Sequence, residues 1–269
     1  MLTAHDAHWE GRPYLDTVEI QMGRAPREQL LDLELGRADV IEVPLTELRR
    51  IRQRGGRVVH SASVEVLALT FDAARPAPET VRQALALSID HTAIHNVLLQ
   101  KQGEISGALL PQWLSGYAFL FAPERDLARA RQLASPPPAL TFAYDRQDAL
   151  VRSIAERIAL NAGEAGITLR PAAGGAADVQ LGRLRITAPD PQQALADLAA
   201  ALRFQLPANI SEPFEAERSL LEGFRVLPLF HLPAAYQVSG RVRNWPESAW
   251  MRSDRWQLAD VWLDERDRP

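Results

Sequence analysis

Apolar and polar positions alternate or recur along this chain in ways that predict a mixed set of elements. Asp16 to Met22 alternates and reads as a strand. Pro26 to Leu35 carries Leu30, Leu31, Leu33 and Leu35 behind a proline, with Gly36 as a stop, and reads as a helix. Ala38 to Val43 predicts a short strand, Thr46 to Arg54 a helix, and Arg57 to His60 and Val64 to Phe71 two strands. Glu79 to Ser88 and Asp90 to Leu99 are two helical runs, with Asp90 placed to cap the second. Gln100 to Ala122 shows no regular period; Pro123 to Leu133 is helical. Ser135 to Pro138 is a rigid connector. Leu140 to Tyr144, Ala149 to Asn161 and Gly166 to Arg170 form a strand–helix–strand unit suited to a right-handed crossover. Asp178 to Thr187 is strand-like, Pro191 to Arg203 and Glu212 to Glu222 are helical. Val226 to Leu232, Ala235 to Ser239 and Trp256 to Leu263 close the chain as strands. The alternation of strands and helices predicts an α/β fold.

Composition narrows the chemistry. The 269 residues are 46% hydrophobic and 24% charged, the proportions of a globular chain. No run approaches the roughly 20 apolar residues of a membrane span. The net charge of −4 gives no global attraction to nucleic acid, so none is expected to bind this chain. Cysteine is absent, which excludes thiol catalysis, disulfides and Cys-type zinc sites. Lys101 is the only lysine, and no Gly-rich phosphate loop accompanies it. The opening run MLTAHDAHWEGRPYLD has no apolar core, so no signal peptide is visible in it. With no G-x-S-x-G elbow and no HExxH, the chain is expected not to be an enzyme.

Several runs, in order, resemble the extracytoplasmic solute-binding proteins of family 5, which serve peptide, opine and nickel ABC importers. They are Trp9 with Gly11 to Asp16 (GRPYLD), Gln29 to Val43, and Val81-Arg82-Gln83-Ala84-Leu85 through Ile89-Asp90 to Ile94. Gly107, Leu110-Pro111 and Gly116-Tyr117 follow, then Ala128 to Leu133, Ile154-Ala155-Glu156 to Gly166-Ile167, and Val226 to Phe230 with Val238 and Val242. The helix pair from Val81 to Ile94 is the most specific of these.

The resemblance implies a type II periplasmic-binding-protein-like fold of two α/β lobes that close on a ligand. Residues 1–66 and 236–269 would form part of the first lobe and residues 67–235 the second. GRPYLD falls late in the family pattern and early here, so the first lobe is expected to be incomplete. The resemblance also implies a small, peptide-like solute, an ABC permease as partner, an extracytoplasmic or periplasmic location, a monomer and no cofactor. A ligand-sensing domain of a transcriptional regulator, or a shortened scaffold protein without ligand, are the alternatives. Asp72 stands where the family often has Asn, and His91 where it often has Arg. Asp190-Pro191 lacks the preceding aromatic, so the residue that holds a peptide amine is not carried over.

Six residues stand out as ligand-binding candidates. Trp113 and Tyr117 lie in the loop LLPQWLSGYAFLF, where aromatic rings beside Gly and Pro either line a cleft or pin the loop to its lobe. Phe230 and His231 end an apolar strand near the predicted crossover, as a cleft floor or as core. Tyr144 and Asp145 sit at the C-terminal end of a predicted strand, the edge where α/β ligands collect, or in a plain turn. His91 and His95 share a helix face at i, i+4, yet no third metal ligand stands at useful spacing, and no metal is expected. The arginine run from Arg49 to Arg57 reads as the polar face of a helix.

Overall fold

The computed structural model describes residues 1–9, 11–117, 124–172, 176–206, 212–245 and 258–264. The chain divides into two compact units, residues 1–62 with 233–269, and residues 63–232.

The first unit opens on β1 (Leu2–Thr3), which pairs antiparallel with β2 (Thr17–Val18). The alternation from Asp16 to Met22 thus yields only two strand residues. Neither face of that run meets a core: none of the described residues from 1 to 40 is buried. Then come α1 (Pro26–Glu34), β3 (Val40–Glu42), a 3-10 turn over Leu45–Glu47 and α2 (Leu48–Gln53). Leu48 and Ile51 bury the inner face of α2.

β4 (Arg57–Phe71) runs from the first unit into the second as one strand, where the sequence suggests two. Ser61-Ala62-Ser63 looks like a break, but Ser61 Oγ accepts the Ala234 N–H at 2.9 Å, so the strand continues through a satisfied hydroxyl. In the second unit β4 leads to α3 (Glu79–Ser88), α4 (His91–Val97), β5 (Glu104–Ile105), the single turn α5 (Gln112–Ser115) and α6 (Leu127–Leu133). After these come β6 (Ala139–Tyr144), α7 (Ala149–Glu164), β7 (Thr168–Pro171), β8 (Val179–Arg185), α8 (Pro191–Ala201) and α9 (Pro213–Leu221). β9 (Val226–Val238) returns to the first unit, again as one strand across Pro233. There it pairs with β3, and β10 (Val242–Arg243) pairs with β11 (Trp262–Leu263).

The sheet of the second unit is mixed, in the order β9-β4-β8-β6-β7, with β5 on the outer edge of β9. β4 and β8 are antiparallel from Glu65↔Arg185 to Phe71↔Val179; β6 runs parallel to both β7 and β8. This confirms the strand–helix–strand crossover through α7. On α7, Leu150, Val151, Ile154, Ala155 and Ile158 fall at helical spacing and are all buried. The helix runs past Gly163, since one glycine costs a helix only about 1 kcal/mol. It ends before Gly166, whose φ of +84° carries the chain out. A second apolar layer joins Val66, Leu109, Leu110, Leu195, Leu198 and Leu220.

Aspartates start four helices. Asp90 accepts from Ala93 N at 2.8 Å, Asp126 from Arg129 N at 2.9 Å, Asp148 from Leu150 N at 2.9 Å and Val151 N at 3.0 Å, and Asp190 from Gln193 N at 2.9 Å. Each such cap is worth about 1 kcal/mol.

Candidate functional site

Three side-chain anchors fix the loop between β5 and α6. Nearest β5, Ser106 Oγ donates to the Ala108 carbonyl at 2.7 Å and accepts the Ala108 N–H at 3.0 Å. His231 Nε2 lies 3.2 Å from the Leu109 carbonyl and 3.3 Å from Ser106 Oγ. Burial pushes the His231 pKa down to about 4, so the ring is neutral near pH 7 and Nε2–H donates to the Leu109 carbonyl.

The second anchor is Glu217 on α9, which has no solvent exposure. One carboxylate oxygen accepts the N–H groups of Leu109 and of Leu110, the latter at 2.9 Å. The other accepts the Tyr117 hydroxyl at 2.6 Å. Burial raises the pKa of Glu217, while these three donors act against that rise. Burial, and then the bond to Glu217, holds the Tyr117 phenol protonated well above its ordinary range. The Tyr117 ring stands edge-on to Phe214, with centroids 5.3 Å apart and planes at 81°.

Trp113 is the third anchor. On α5 it is half-buried, and its Nε1–H donates to the Ser63 carbonyl at 2.8 Å. Gly116, at φ +77°, ends α5 and turns the chain into Tyr117. The polar ends of both aromatic residues are therefore engaged within the second unit. What each can offer a ligand is ring surface. Phe119 and Phe121 of the same loop lie outside the described residues.

Phe230 and His231 are 0% and 3% exposed, so both side chains belong to the interior of the second unit. Phe230 packs between the two histidines of α4: His95 stacks on it at 6.5 Å and His91 tilts against it at 5.9 Å. His95 Nε2 lies 3.1 Å from the Gly103 carbonyl, and burial lowers the His91 pKa to about 4. Among the described residues no group of three or more His, Asp or Glu could hold a metal ion.

Tyr144 and Asp145 lie at the C-terminal end of β6. Tyr144 is half-buried beside Phe142, with centroids 5.4 Å apart. Asp145 is exposed and accepts the Gln147 N–H at 2.8 Å, which closes a turn. Next to it, Asp148 caps α7 with one oxygen and takes Arg183 at 2.8 Å with the other. Arg183 also pairs with Glu65.

A cavity of about 80 Å³ lies among Leu87, Ile89, His91, Phe224, Leu227 and Leu229. Pockets for drug-sized ligands measure roughly 300–1,000 Å³, so this cavity alone does not house a peptide.

Glu217 is the residue that pattern reading overlooked, although a signal exists. Ala216, Leu220 and Leu221 mark the buried face of α9, and Glu217 occupies a position on that face where an apolar residue belongs. Arg82 on α3 shows the same signature. It is 7% exposed, with its guanidinium donating to the Gly223 carbonyl at 2.6 Å and to that of Ala77.

Comparison with known proteins bears on the fold and the family. A search of the curated proteins finds no match. Among solved structures, the oligopeptide-binding protein AppA of Bacillus subtilis, in complex with a nonapeptide, is similar at a TM-score of 0.76 and 15% identity. The match covers 98% of this chain and 63% of that one. DppA of Helicobacter pylori, in complex with the peptide STSA, matches at a TM-score of 0.76 and 16% identity, over 97% of this chain and 59% of that one. A dipeptide-binding protein from a Pseudoalteromonas species, in complex with Met-Leu, matches at 0.74 and 15%, over 97% and 61%. These likenesses show the fold, and the chain spans less than two thirds of the length of these three structures. The sequence profile of the middle region of bacterial extracellular solute-binding proteins, family 5, matches residues 1–182, so this chain belongs to that family.

Proposed function

We propose that the chain binds a small, peptide-like solute without chemistry, outside the cytoplasmic membrane, and serves an ABC importer whose permease is its partner. The observation that carries this reading is the anchored aromatic loop. Trp113 and Tyr117 sit on a segment held by Ser63, Glu217 and His231, so their rings are set in place before any ligand arrives. Preorganisation of this kind lowers the entropy cost of binding. Trp113 and Tyr117 supply the wall, Tyr144 and Asp145 a second ligand-facing edge, and Phe230 and His231 the buried support.

Family membership and peptide-bound neighbours favour the same solute class. Residues 1–66 with 236–269 are assigned to one lobe and 67–235 to the other. A ligand favours whichever state gives it the larger number of good contacts, and that state is what a permease would recognise. No helix among the described residues is long and apolar enough to cross a membrane. Location outside the cytoplasm therefore rests on the family.

Isothermal titration with the dipeptide Met-Leu and the tetrapeptide Ser-Thr-Ser-Ala tests the reading. Saturable binding of at least one is expected. Trp113→Ala should weaken it by about tenfold, the loss of one ring contact with its buried area, with little change in melting temperature. Absence of binding to either peptide contradicts the reading. Unchanged affinity together with a large fall in melting temperature would make Trp113 a core residue instead.

A further inference from the structure

Glu217 is a carboxylate with no exposed surface, met by three neutral donors, all from the loop between β5 and α6. Within that loop its contacts bracket one segment, with Leu109 and Leu110 at one end and Tyr117 at the other. Between them lie α5 and Trp113. A single side chain on α9 thus fixes both ends of the segment that carries the two aromatic rings.

An apolar residue would fill this position on α9 at a smaller desolvation cost, since its neighbours Ala216, Leu220 and Leu221 are buried. What the carboxylate adds is direction. It satisfies two adjacent backbone N–H groups that the loop itself leaves without strand partners, and it orients one phenol. With its hydroxyl given to Glu217, Tyr117 has its polar tip engaged, and what it offers a solute is ring surface.

We propose that Glu217 is a positioning residue: it latches the loop from Leu109 to Tyr117 to α9 and so sets the aromatic wall as a subsite for an apolar side chain of the solute. The subsite rests on the reading of that loop as ligand wall; the latch does not.

Hydrogen exchange on the ligand-free chain tests the latch alone. Glu217→Leu removes the acceptor, and exchange at the Leu109 and Leu110 amides should quicken about tenfold or more relative to the amides of α7. Glu217→Gln keeps an acceptor oxygen for those amides and a donor for the tyrosine oxygen, so it should restore protection to within about threefold. Leu220→Ala, one turn along on the same helix and in the same apolar layer as Leu109 and Leu110, is the control for lost packing and should move that ratio by less than about threefold.

Titration of the same variants with Met-Leu and with Ser-Ser tests the subsite. The native chain should prefer Met-Leu, and Glu217→Leu should lower that preference while Leu220→Ala does not. If Glu217→Leu and Leu220→Ala give the same exchange pattern, the latch is refuted. If the latch holds but Ser-Ser binds as well as Met-Leu, the subsite is refuted. If neither dipeptide binds while the latch holds, the ligand-wall reading fails and Glu217 retains its role in ordering the loop.

Discussion

Residues 1–40 and the strand β4 are both rich in apolar side chains, but the fold uses them in opposite ways. Trp9 and Met22 in the first stretch are 85% and 89% exposed, and none of the described residues there is buried. In β4 every apolar position from Val64 to Phe71 is buried, Val66 and Ala68 in the apolar layer that α8 and α9 complete. The difference shows that apolar content stabilises only where a second layer receives it. Burial is worth about 25 cal/mol per Å² of apolar surface removed from water. By that measure the second unit's core carries stability, and the first forty residues add little.

Substitutions can break or sharpen this contrast. The largest effect is expected for Phe230→Ala, which empties a fully buried site between His91 and His95. Urea denaturation should show a loss of about 3–5 kcal/mol; a loss below about 1 kcal/mol would mean the core refills the space.

Acid acts on the same region. His91 and His231 each have a folded pKa of about 4 against an ordinary 6.5, so the unfolded chain binds protons that the native core refuses. The stability they support is complete above about pH 6.5 and is lost as pH falls towards 4. The shift amounts to about 3 kcal/mol for each histidine. Glu217 works in the opposite sense: its raised pKa makes the native state take up a proton more readily as pH falls, which offsets part of the loss. His231→Gln should flatten the slope between pH 6.5 and 4, as followed by denaturation at stepped pH. An unchanged slope would show that His231 already ionises in the folded chain.

A smaller effect is expected at Gly103. Its φ is +73°, and a Cβ there would fall on the His231 carbonyl. Gly103→Ala should cost about 1–3 kcal/mol. Smallest of all, Trp9→Ala should change stability by no more than about 0.5 kcal/mol. A larger loss would mean that the N-terminal stretch contributes to the core in solution.

The same contrast explains what could be read from sequence. Helices announced themselves where local chemistry decides: Asp90 stands one residue before α4 and caps it, and a proline opens α1. Two strands were legible only in pieces, because Ser61 and Pro233 look like breaks until a partner across the strand satisfies the backbone. The strand expected from Asp16 to Met22 shrank to Thr17–Val18 for want of a core. In the candidate site, Trp113 and Tyr117 were visible as aromatics in a turn-rich loop. Their tied polar ends were not, since the partners lie 50 and 100 residues away in sequence. Glu217 was hidden for the same reason, and only its misfit on an apolar helix face pointed to it.

Solute binding is the central claim, and native mass spectrometry of the purified chain tests it most directly. The account predicts that a peptide-like solute is either retained on purification or acquired as a saturable adduct after incubation with a peptide mixture. A bare mass in both cases, from a chain that is folded by its exchange pattern, would contradict it.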